Sequence, residues 1–451
     1  MLTFQKFKSK EKIKIIKAKD NYLYTKQHKI LDFTSGWTGY ASLGHNNNEI
    51  LKEVFKQSKK FCHLDYNEFD NQLIEQFAKK FNSFSKIKFK VWCSGNSGSE
   101  SVEAAMKLSY QVHYANNNKK KIKFIHRSQS FHGATLHPLL VSNIDVLDIY
   151  SKFKNNNFIE IPQHNIFAEC KSNRHGQCNC GKKNVMHCMG IRNYESTNDY
   201  LSRSIYELEK TILDHGPENI CAFIGETQLG SLVGDVPPIK KYWQKVSGVC
   251  KKYNIHLILD EIYCGIGRSG KFFNFEWDNC YPDFVCVGKN TTSGIIPISY
   301  VMAKEEHEKK IINKLGRVAL GHTFQGHSLG ISASIKLIEI IKRDRLLKKI
   351  NKLGKKLREI IHSELKNHPN YKNTRGRGFA FSCEHKFKQN HKFGLDLKEK
   401  ILNENKILVN SKWHRTSFLP SYTISEKEAL RVIDVFLKTF KYLAKKNKYH
   451  K

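Results

Sequence analysis

The sequence predicts an α/β protein with a layered, largely parallel sheet. Short apolar runs alternate with longer helical or irregular stretches, a pattern that is typical of layered α/β domains. Polar residues follow several of these runs directly, at the sheet edge where such folds bind their ligands. The runs predicted as strands of this sheet are residues 88–93, 123–126, 221–225, 256–259 and 284–287.

The other elements follow from the same hydrophobic periodicity. A strand-like segment comes first in the chain, and helical patterns follow it. After about Lys304 the chain becomes mainly helical, and it ends in a small α+β pattern. The additional strands are predicted at residues 30–33 and 378–383, and the helices at 49–58, 71–81, 101–110, 330–343, 345–362 and from Glu426 onward.

Composition excludes several classes of protein. The 451 residues, 40% of them hydrophobic, can bury a large core, and no window resembles a signal peptide or a membrane span. We therefore expect a cytoplasmic protein with no membrane partner. The 12 cysteines are scattered through apolar runs, and most should be reduced core thiols.

The net charge of +34 raises the question of a nucleic-acid partner. Lysines are abundant throughout the chain, on amphipathic helices and at the C-terminus, but no basic region, zinc-finger spacing or RNP-like strand accompanies them. A compositional bias towards lysine accounts for this pattern. We expect no specific nucleic-acid partner.

One apolar strand ends abruptly in two carboxylates, Asp260 and Glu261. An ionised aspartate at a strand tip can keep a nearby ring nitrogen protonated, as a heterocyclic cofactor that serves as an electron sink requires. The alternative is that Asp260 only caps the turn that follows.

A lysine follows the next apolar strand, in the sequence Val287-Gly288-Lys289-Asn290. Small residues come after it, at positions 291–294. A lysine that emerges from a buried strand into such a site can be desolvated, and the lowered pKa suits an amine that forms an imine. Most other lysines in the chain are surface charges.

A third motif is a turn of small residues, from Ser94 to Ser99, that leads directly into a helix. The exposed N–H groups at the start of a helix can bind a phosphate dianion. The alternative is an ordinary strand-to-helix loop.

Taken together, these motifs resemble the class III aminotransferases, also called the ornithine/ω-aminotransferase group. The resemblance runs over nearly the whole chain, with the motifs in the order that the family has. The motifs that carry it are residues 31–36, 43–45, 97–100, 130–133, 260–270, 282–283, 288–289, 321–327 and 375–378.

The resemblance implies the type I fold of transferases that depend on pyridoxal phosphate (PLP). This fold has a large domain with a mainly parallel seven-stranded sheet and a smaller α+β domain. The division expected here is an N-terminal segment of the small domain (1–55), the large cofactor-binding domain (56–304, with a Cys/His-rich insertion at about 162–190) and the C-terminal small domain (305–451).

The resemblance also implies a role for individual residues. Lys289 would hold pyridoxal 5'-phosphate as a Schiff base and shuttle a proton between substrate and cofactor. Asp260 would pair with the pyridinium nitrogen, and Phe131 and Ile262 would pack on the two ring faces. The other cofactor-binding residues implied are Ser97, Gly98, Ser99, His132, Glu226 and, in a homodimer with shared active sites, Thr323 of the partner subunit.

Three residues are implied in substrate binding. Trp37 and Tyr40 match the N-terminal segment that shapes the substrate pocket in this family, although such aromatics are often only packing. Arg375 occupies the place of an arginine for a substrate carboxylate, a task that suits a bidentate guanidinium; the alternative is a surface ion pair. Ser231 stands where ornithine and γ-aminobutyrate enzymes have a gating glutamate, which argues against a gate of that type.

The segment 164–188 is rich in cysteine and histidine. Its thiolates and imidazoles could hold zinc or a cluster, but the usual Cys-x-x-Cys pairing is missing. We assign no metal, and a disulfide or free-thiol loop is the alternative. The candidate ligands are Cys170, Cys178, Cys180 and Cys188.

The leading hypothesis is an aminotransferase with a ping-pong mechanism. It would move an amino group from an amine or an ω-amino acid to pyruvate or 2-oxoglutarate. A decarboxylase or aminomutase with the same cofactor would share every residue named above. A non-catalytic, basic nucleic-acid-binding protein that kept this fold is the contrasting alternative.

Overall fold

A seven-stranded sheet forms the centre of the described part of the chain. The computed structural model describes residues 12–142, 149–150, 152–163, 165–167, 169–170, 191–192, 195–230, 232–387 and 392–446. The strands are β1 (Lys17–Lys19), β2 (Tyr22–Tyr24), β3 (Lys29–Asp32), β4 (Phe89–Gly95), β5 (Lys123–Arg127), β6 (Phe158–Ile161), β7 (Glu169–Cys170), β8 (Ile191–Arg192), β9 (Ile220–Glu226), β10 (His256–Asp260), β11 (Phe284–Val287), β12 (Ser299–Lys304), β13 (Tyr371–Arg377), β14 (Ala380–His385), β15 (Ile407–Leu408), β16 (Asn410–Lys412) and β17 (Arg415–Phe418).

Helices cover the sheet and build the C-terminal part of the chain. None of the described helices is both long and apolar enough to cross a bilayer. The α-helices are α1 (Asn48–Ser58), α2 (Leu73–Asn82), α3 (Gly98–Ala115), α4 (Leu136–Leu140), α5 (Thr197–His215), α6 (Tyr242–Lys252), α7 (Glu305–Leu315), α8 (Ser328–Arg343), α9 (Leu346–Leu365), α10 (Phe393–Asn405) and α11 (Glu426–Ala444).

The central sheet has the order β4-β12-β11-β10-β9-β5-β6. All neighbouring pairs are parallel except those of β12, which runs antiparallel to both β4 and β11. The register places Asp260 opposite Glu226 on β9 and Cys286 on β11. This sheet confirms the predicted mainly parallel seven-stranded architecture.

The middle strands are apolar because both of their faces are covered. Every residue of β9, β10 and β11 is buried. Along β10, Ile258 packs in the apolar cluster that holds α3 and α7, whereas Leu257 and Leu259 pack on the opposite side with α5 and α6. The sheet is therefore sandwiched between two helical layers.

The five strands predicted for this sheet are confirmed, with bounds that differ by at most two residues at either end. Strands β6 and β12 complete the sheet and are not predicted from the sequence. Strand β6 follows an asparagine-rich stretch, and β12 follows the apolar segment 295–298, which contains a proline, so the sequence marks no clear boundary for either strand.

Two smaller sheets lie in the chain's terminal regions. One has the order β1-β2-β3-β15, in which β3 pairs in parallel with β15 from the C-terminal part. The other is antiparallel and has the order β13-β14-β17-β16. The N-terminal strands thus join the C-terminal part, while the domain bounds at 55 and 304 stay predictions.

Candidate active site

A cavity of about 210 Å³ opens where β9, β10 and β11 end. This is the carboxyl edge of the parallel strands, where open α/β sheets bind ligands. Eight residues predicted for the site line the cavity: Gly98, Ser99, Phe131, His132, Glu226, Asp260, Ile262 and Lys289.

Asp260 is the last residue of β10 and is 5% exposed. Its Oδ2 is hydrogen-bonded to His132 Nδ1 at 2.8 Å, and its Oδ1 accepts the N–H of Ile262 at 2.9 Å. These two contacts fix the direction of the carboxylate. The other ring nitrogen of His132, Nε2, is buried and has no hydrogen-bond partner among the described residues.

Lys289 is the one lysine or arginine among the described residues that line the cavity. Its ammonium donates no hydrogen bond within the described chain and lies 5.7 Å from the centre of the Tyr263 ring. Burial lowers the pKa of Lys289, although the negative charges of Asp260 and Glu226 oppose that shift. A half-buried amine with a lowered pKa and no hydrogen-bond partner in the described chain is an available nucleophile.

The backbone of Lys289 is itself unusual. Its φ of +40° lies in the left-handed region, which costs a non-glycine residue about 1–3 kcal/mol. The turn after β11 therefore holds Lys289 in a conformation that the surrounding structure must support.

Glu226 ends β9 beside Asp260 and is 8% exposed. One of its carboxylate oxygens accepts the N–H of Phe131 at 3.1 Å, and the other accepts the N–H of Gly230 at 3.0 Å. Burial raises the pKa of Glu226, and the electrostatic interaction with His132 opposes this rise. Glu226 thus fastens two segments that both line the cavity.

Helix α3 begins at the cavity. Its N-cap, Ser97, accepts the N–H of Glu100 through Oγ, and the Glu100 carboxylate accepts the N–H of Ser97 in return. The first-turn amides of Gly98 and Ser99 have no partner within the helix. A Cβ at position 98 would lie 2.7 Å from Cδ1 of Ile262, so glycine permits this close approach. The helix end can accept an anion.

Phe131 and Ile262 form apolar walls of the cavity. Phe131 is 36% exposed and Ile262 is 8% exposed. Ile262 also packs against the start of α3. Their roles on two faces of a cofactor ring stay predictions, which their shared cavity supports.

Trp37 and Tyr40 lie outside the lining of this cavity, in a segment that packs on the turn after β11. A Cβ at Gly294 would lie 2.5 Å from the Tyr40 ring. Further along the segment, the Leu43 N–H donates to Ser293 Oγ at 2.9 Å. Trp37 has a left-handed φ of +72°. Their part in substrate binding stays a prediction.

Arg375 does not line the cavity and is 4% exposed. Its guanidinium forms an ion pair with Glu384 and donates to Asn373 Oδ1 at 2.6 Å. It also donates to two carbonyl oxygens, that of Gly234 at 2.8 Å and that of Val233 at 3.1 Å. The nitrogens that would receive a substrate carboxylate are thus engaged within the protein, and the implied role of Arg375 in substrate binding stays a prediction.

Thr323 is exposed and does not line the cavity of its own chain. Its carbonyl oxygen is hydrogen-bonded to His63 Nε2 at 2.6 Å. A contact between Thr323 and a cofactor in another subunit stays a prediction.

Three of the four metal candidates, Cys178, Cys180 and Cys188, lie outside the described residues. The fourth, Cys170, belongs to the two-residue strand β7, of which only the backbone is described. Both alternatives for the insertion, a metal site and a disulfide or free-thiol loop, therefore stay open.

Four further residues line the cavity: Gly133, Gly230, Leu232 and Tyr263. Gly133 and Tyr263 are direct neighbours of predicted site residues, and that adjacency could have found them. Gly230 and Leu232 belong to the loop after β9, where no motif marks them. Their place depends on how the loop folds back on itself.

Comparisons with known proteins identify the family of the chain. The family model described as aminotransferase class-III matches residues 4–440. An uncharacterised aminotransferase of Schizosaccharomyces pombe is 31% identical over 82% of this chain and 76% of its own length. The adenosylmethionine-8-amino-7-oxononanoate aminotransferase of Staphylococcus aureus is 28% identical over 96% of this chain and 92% of its own.

A solved structure gives the same fold. The omega transaminase of Pseudomonas jessenii, in complex with PMP, superposes with a TM-score of 0.86 at 22% identity, over 97% of this chain and 96% of that one.

Proposed function

Because the chain belongs to the class III aminotransferase family, we propose that it binds pyridoxal 5'-phosphate in the cavity at Lys289. Amino-group transfer is the activity of this family, and the chain is an enzyme of that class. We further propose that the donor is an amine or an ω-amino acid and that the acceptor is pyruvate or 2-oxoglutarate.

Lys289 carries this proposal. Of the described lysines and arginines, it alone lines the cavity, and its amine has no hydrogen-bond partner within the described chain. Burial lowers its pKa. These properties suit an amine that bonds covalently to an aldehyde.

The residues around Lys289 fit the cofactor. The start of α3, with Gly98 and Ser99, offers unpaired amides for a phosphate. Asp260 offers a carboxylate whose direction is already fixed by His132. Phe131 and Ile262 offer apolar surfaces for a ring. A phosphate, a cationic ring nitrogen and an aldehyde thus each have a complementary group in one cavity.

Each residue then has a defined task. When bound, the cofactor's pyridinium ring serves as an electron sink for the substrate's α-carbon. Lys289 Nζ would hold the cofactor and would move a proton to and from that carbon, a task that the lowered pKa of this amine favours. Asp260 keeps the ring nitrogen protonated. His132 and Ile262 orient Asp260 through their hydrogen bonds.

We also propose that the enzyme is a homodimer with shared sites. Thr323 is exposed and lies outside its own chain's cavity, which supports a contact made across a subunit boundary. Light scattering of the pure protein tests the dimer. A Thr323→Val variant should weaken cofactor binding if the hydroxyl reaches the phosphate of the other subunit.

A half-reaction tests the proposed activity. The protein loaded with pyridoxal phosphate is mixed with a primary amine, an ω-amino acid or an α-amino acid in the absence of acceptor. We expect loss of the cofactor's visible absorption and one carbonyl product per site, and recovery of the absorption on addition of pyruvate or 2-oxoglutarate.

The alternatives give different products. Carbon dioxide released from an amino acid without a carbonyl product would indicate a decarboxylase, and a rearranged amine would indicate an aminomutase. Absence of any cofactor band, together with salt-sensitive binding to nucleic acid, would contradict an enzymatic role altogether.

A further inference from the structure

The loop between β9 and α6 forms one wall of the cavity. We call it the Leu232 loop; its described residues are 227–230 and 232–236. Leu232 is 47% exposed and lines the cavity together with Gly230. The loop closes on itself, since the N–H groups of Val233 and Gly234 both donate to the Gly230 carbonyl. The contacts that hold the Leu232 loop in place therefore determine the shape of the cavity beside Lys289.

Arg375 binds the backbone of the Leu232 loop at two successive carbonyls. These are the oxygens of Val233 and Gly234, at 3.1 and 2.8 Å. The guanidinium is held in turn by Glu384 on the neighbouring strand β14. The ring of Phe167 lies 5.1 Å from the guanidinium carbon. The guanidinium is thus a bridge from the C-terminal sheet to the loop.

Gly234 shows how close this bridge is. A Cβ at this position would lie 2.6 Å from Arg375 Nη2, and its φ is +94°. Glycine is required there both by the backbone conformation and by the approach of the guanidinium.

A second attachment lies next to the first. The buried carboxylate of Asp235 accepts the hydroxyls of Tyr263 and Ser382, each at 2.5 Å. Ser382 belongs to β14, and the Tyr263 ring lines the cavity beside Lys289. The C-terminal sheet therefore holds both the Leu232 loop and the Tyr263 ring.

We propose that Arg375 is a positioning residue, which fixes the Leu232 loop as a wall of the substrate pocket and does not bind the substrate's carboxylate. This inference rests on the proposed function for its kinetic test. Its physical reason is that all three guanidinium nitrogens already donate to acceptors in the protein, and a substrate carboxylate would have to displace those acceptors.

The two roles predict different losses for Arg375→Met in the enzyme loaded with pyridoxal phosphate. A positioning residue affects all substrates, because the displaced wall misplaces each of them. We expect kcat/KM to fall by about tenfold to a hundredfold with pyruvate, with 2-oxoglutarate and with a neutral aldehyde such as propanal, all with one amine donor. The three losses should agree within about threefold. A loss confined to the two acids would overturn the proposal.

Arg377→Met is the matched control. Arg377 lies two residues further along the same strand and is also ion-paired, but with Asp278 rather than with the loop. We expect the control to keep the parental kcat/KM with all three acceptors.

Gly234→Ala tests the same contact without removing the guanidinium, and serves if Arg375→Met does not fold. The methyl group would meet Arg375 Nη2, so the positioning role predicts the same uniform loss with acids and aldehyde. Parental kinetics in a folded Gly234→Ala variant would contradict the proposal.

Hydrogen exchange gives a readout that does not depend on activity. The amides of Val233, Gly234 and Asp235 should exchange faster in Arg375→Met than in the parent, and at the parental rate in Arg377→Met. Unchanged exchange in Arg375→Met would overturn the proposal. If the parent transferred no amino group, the proposed function would be wrong, but this measurement would still test the positioning role of Arg375.

Discussion

The two ends of the central strands carry similar ionisable groups that do different things. At the carboxyl ends lie a lysine and a carboxylate, Lys289 and Asp260. At the amino ends lie another lysine and another carboxylate, Lys121 and Asp283. Burial lowers the pKa of both lysines. A lysine pKa lowered by desolvation is therefore found at both ends and does not identify the reactive one.

The difference lies in what these groups are bonded to. Lys121 donates to the carbonyl oxygens of Pro217, Ile220 and Tyr253, at 2.7, 3.1 and 3.4 Å. Lys289 donates to no described residue and faces a cavity. A satisfied buried cation holds structure together, and an unsatisfied one beside a cavity is available for chemistry.

The largest effect should separate the two lysines. Lys289→Ala should reduce amino-group transfer by about a thousandfold or more, because it removes both the covalent anchor and the proton carrier. Lys121→Ala removes a donor from the carbonyls of Pro217, Ile220 and Tyr253 and should lower stability, while the folded enzyme keeps its activity. Steady-state rates, corrected for folded protein, check both variants. Similar activity in the two would end the distinction between the strand ends.

The carboxylates give the next comparison. Asp260→Asn keeps the shape of the side chain but removes its charge, and should lower kcat by about a hundredfold or more. Asp283→Asn is the control, since Asp283 accepts from Lys304 and His307 at the other edge of the sheet. It should affect the melting temperature and leave kcat close to that of the parent. Equal losses of kcat would contradict the assignment.

A smaller effect is expected at the start of α3. Gly98→Ala would place a methyl group 2.7 Å from Ile262, and should weaken the binding of pyridoxal phosphate by about tenfold. Gly248→Ala, in α6, meets no atom within 4 Å and should be neutral or stabilise the helix by about 1 kcal/mol. Titration of the apoprotein with the cofactor compares the two, and unchanged affinity in Gly98→Ala would remove the steric argument.

The smallest effect on activity is expected at the amino ends, where pH should change stability alone. Burial lowers the pKa of His113 from 6.5 to about 4. Its stabilising contribution is therefore complete above pH 6.5 and is lost as the pH falls from 6.5 towards 4, by up to about 3 kcal/mol. His113→Gln should flatten the fall of the urea midpoint across this range, whereas replacement of the exposed His28 should not. An unchanged slope in His113→Gln would show that His113 is not the titrating group.

Much of the fold follows from the sequence because buried central strands are continuous apolar runs. Strands β9, β10 and β11 are of this kind, and their predicted bounds agree with the structure within a residue or two. Strands β6 and β12 could not be predicted from the sequence. Strand β6 (Phe158–Ile161) is a short edge strand and β12 is the antiparallel strand of a mixed sheet, and the residues of such strands depend on their neighbours in the sheet.

Residues that line the cavity could be predicted where they lie at the end of an apolar strand or directly after it. Asp260 and Lys289 are such cases. Leu232 could not be predicted, because it reaches the cavity only through a loop whose anchor, Arg375, lies far along the chain. The family motif in the sequence indicates that Arg375 has a role, but its hydrogen-bond partners Glu384 and Gly234 come from a neighbouring strand and from that loop. The motif therefore identifies the residue, but its hydrogen-bond acceptors are known only from the fold.

The central claim is that Lys289, the amine that lines the cavity, and no other lysine holds the cofactor. The direct measurement is reduction of the protein with borohydride in the presence of pyridoxal phosphate, followed by digestion and mass spectrometry of the peptides. We predict a single stoichiometric phosphopyridoxyl group on the peptide that contains Lys289, and none on the peptide that contains Lys121. A stoichiometric adduct on any other lysine, or no adduct at position 289, would contradict the account.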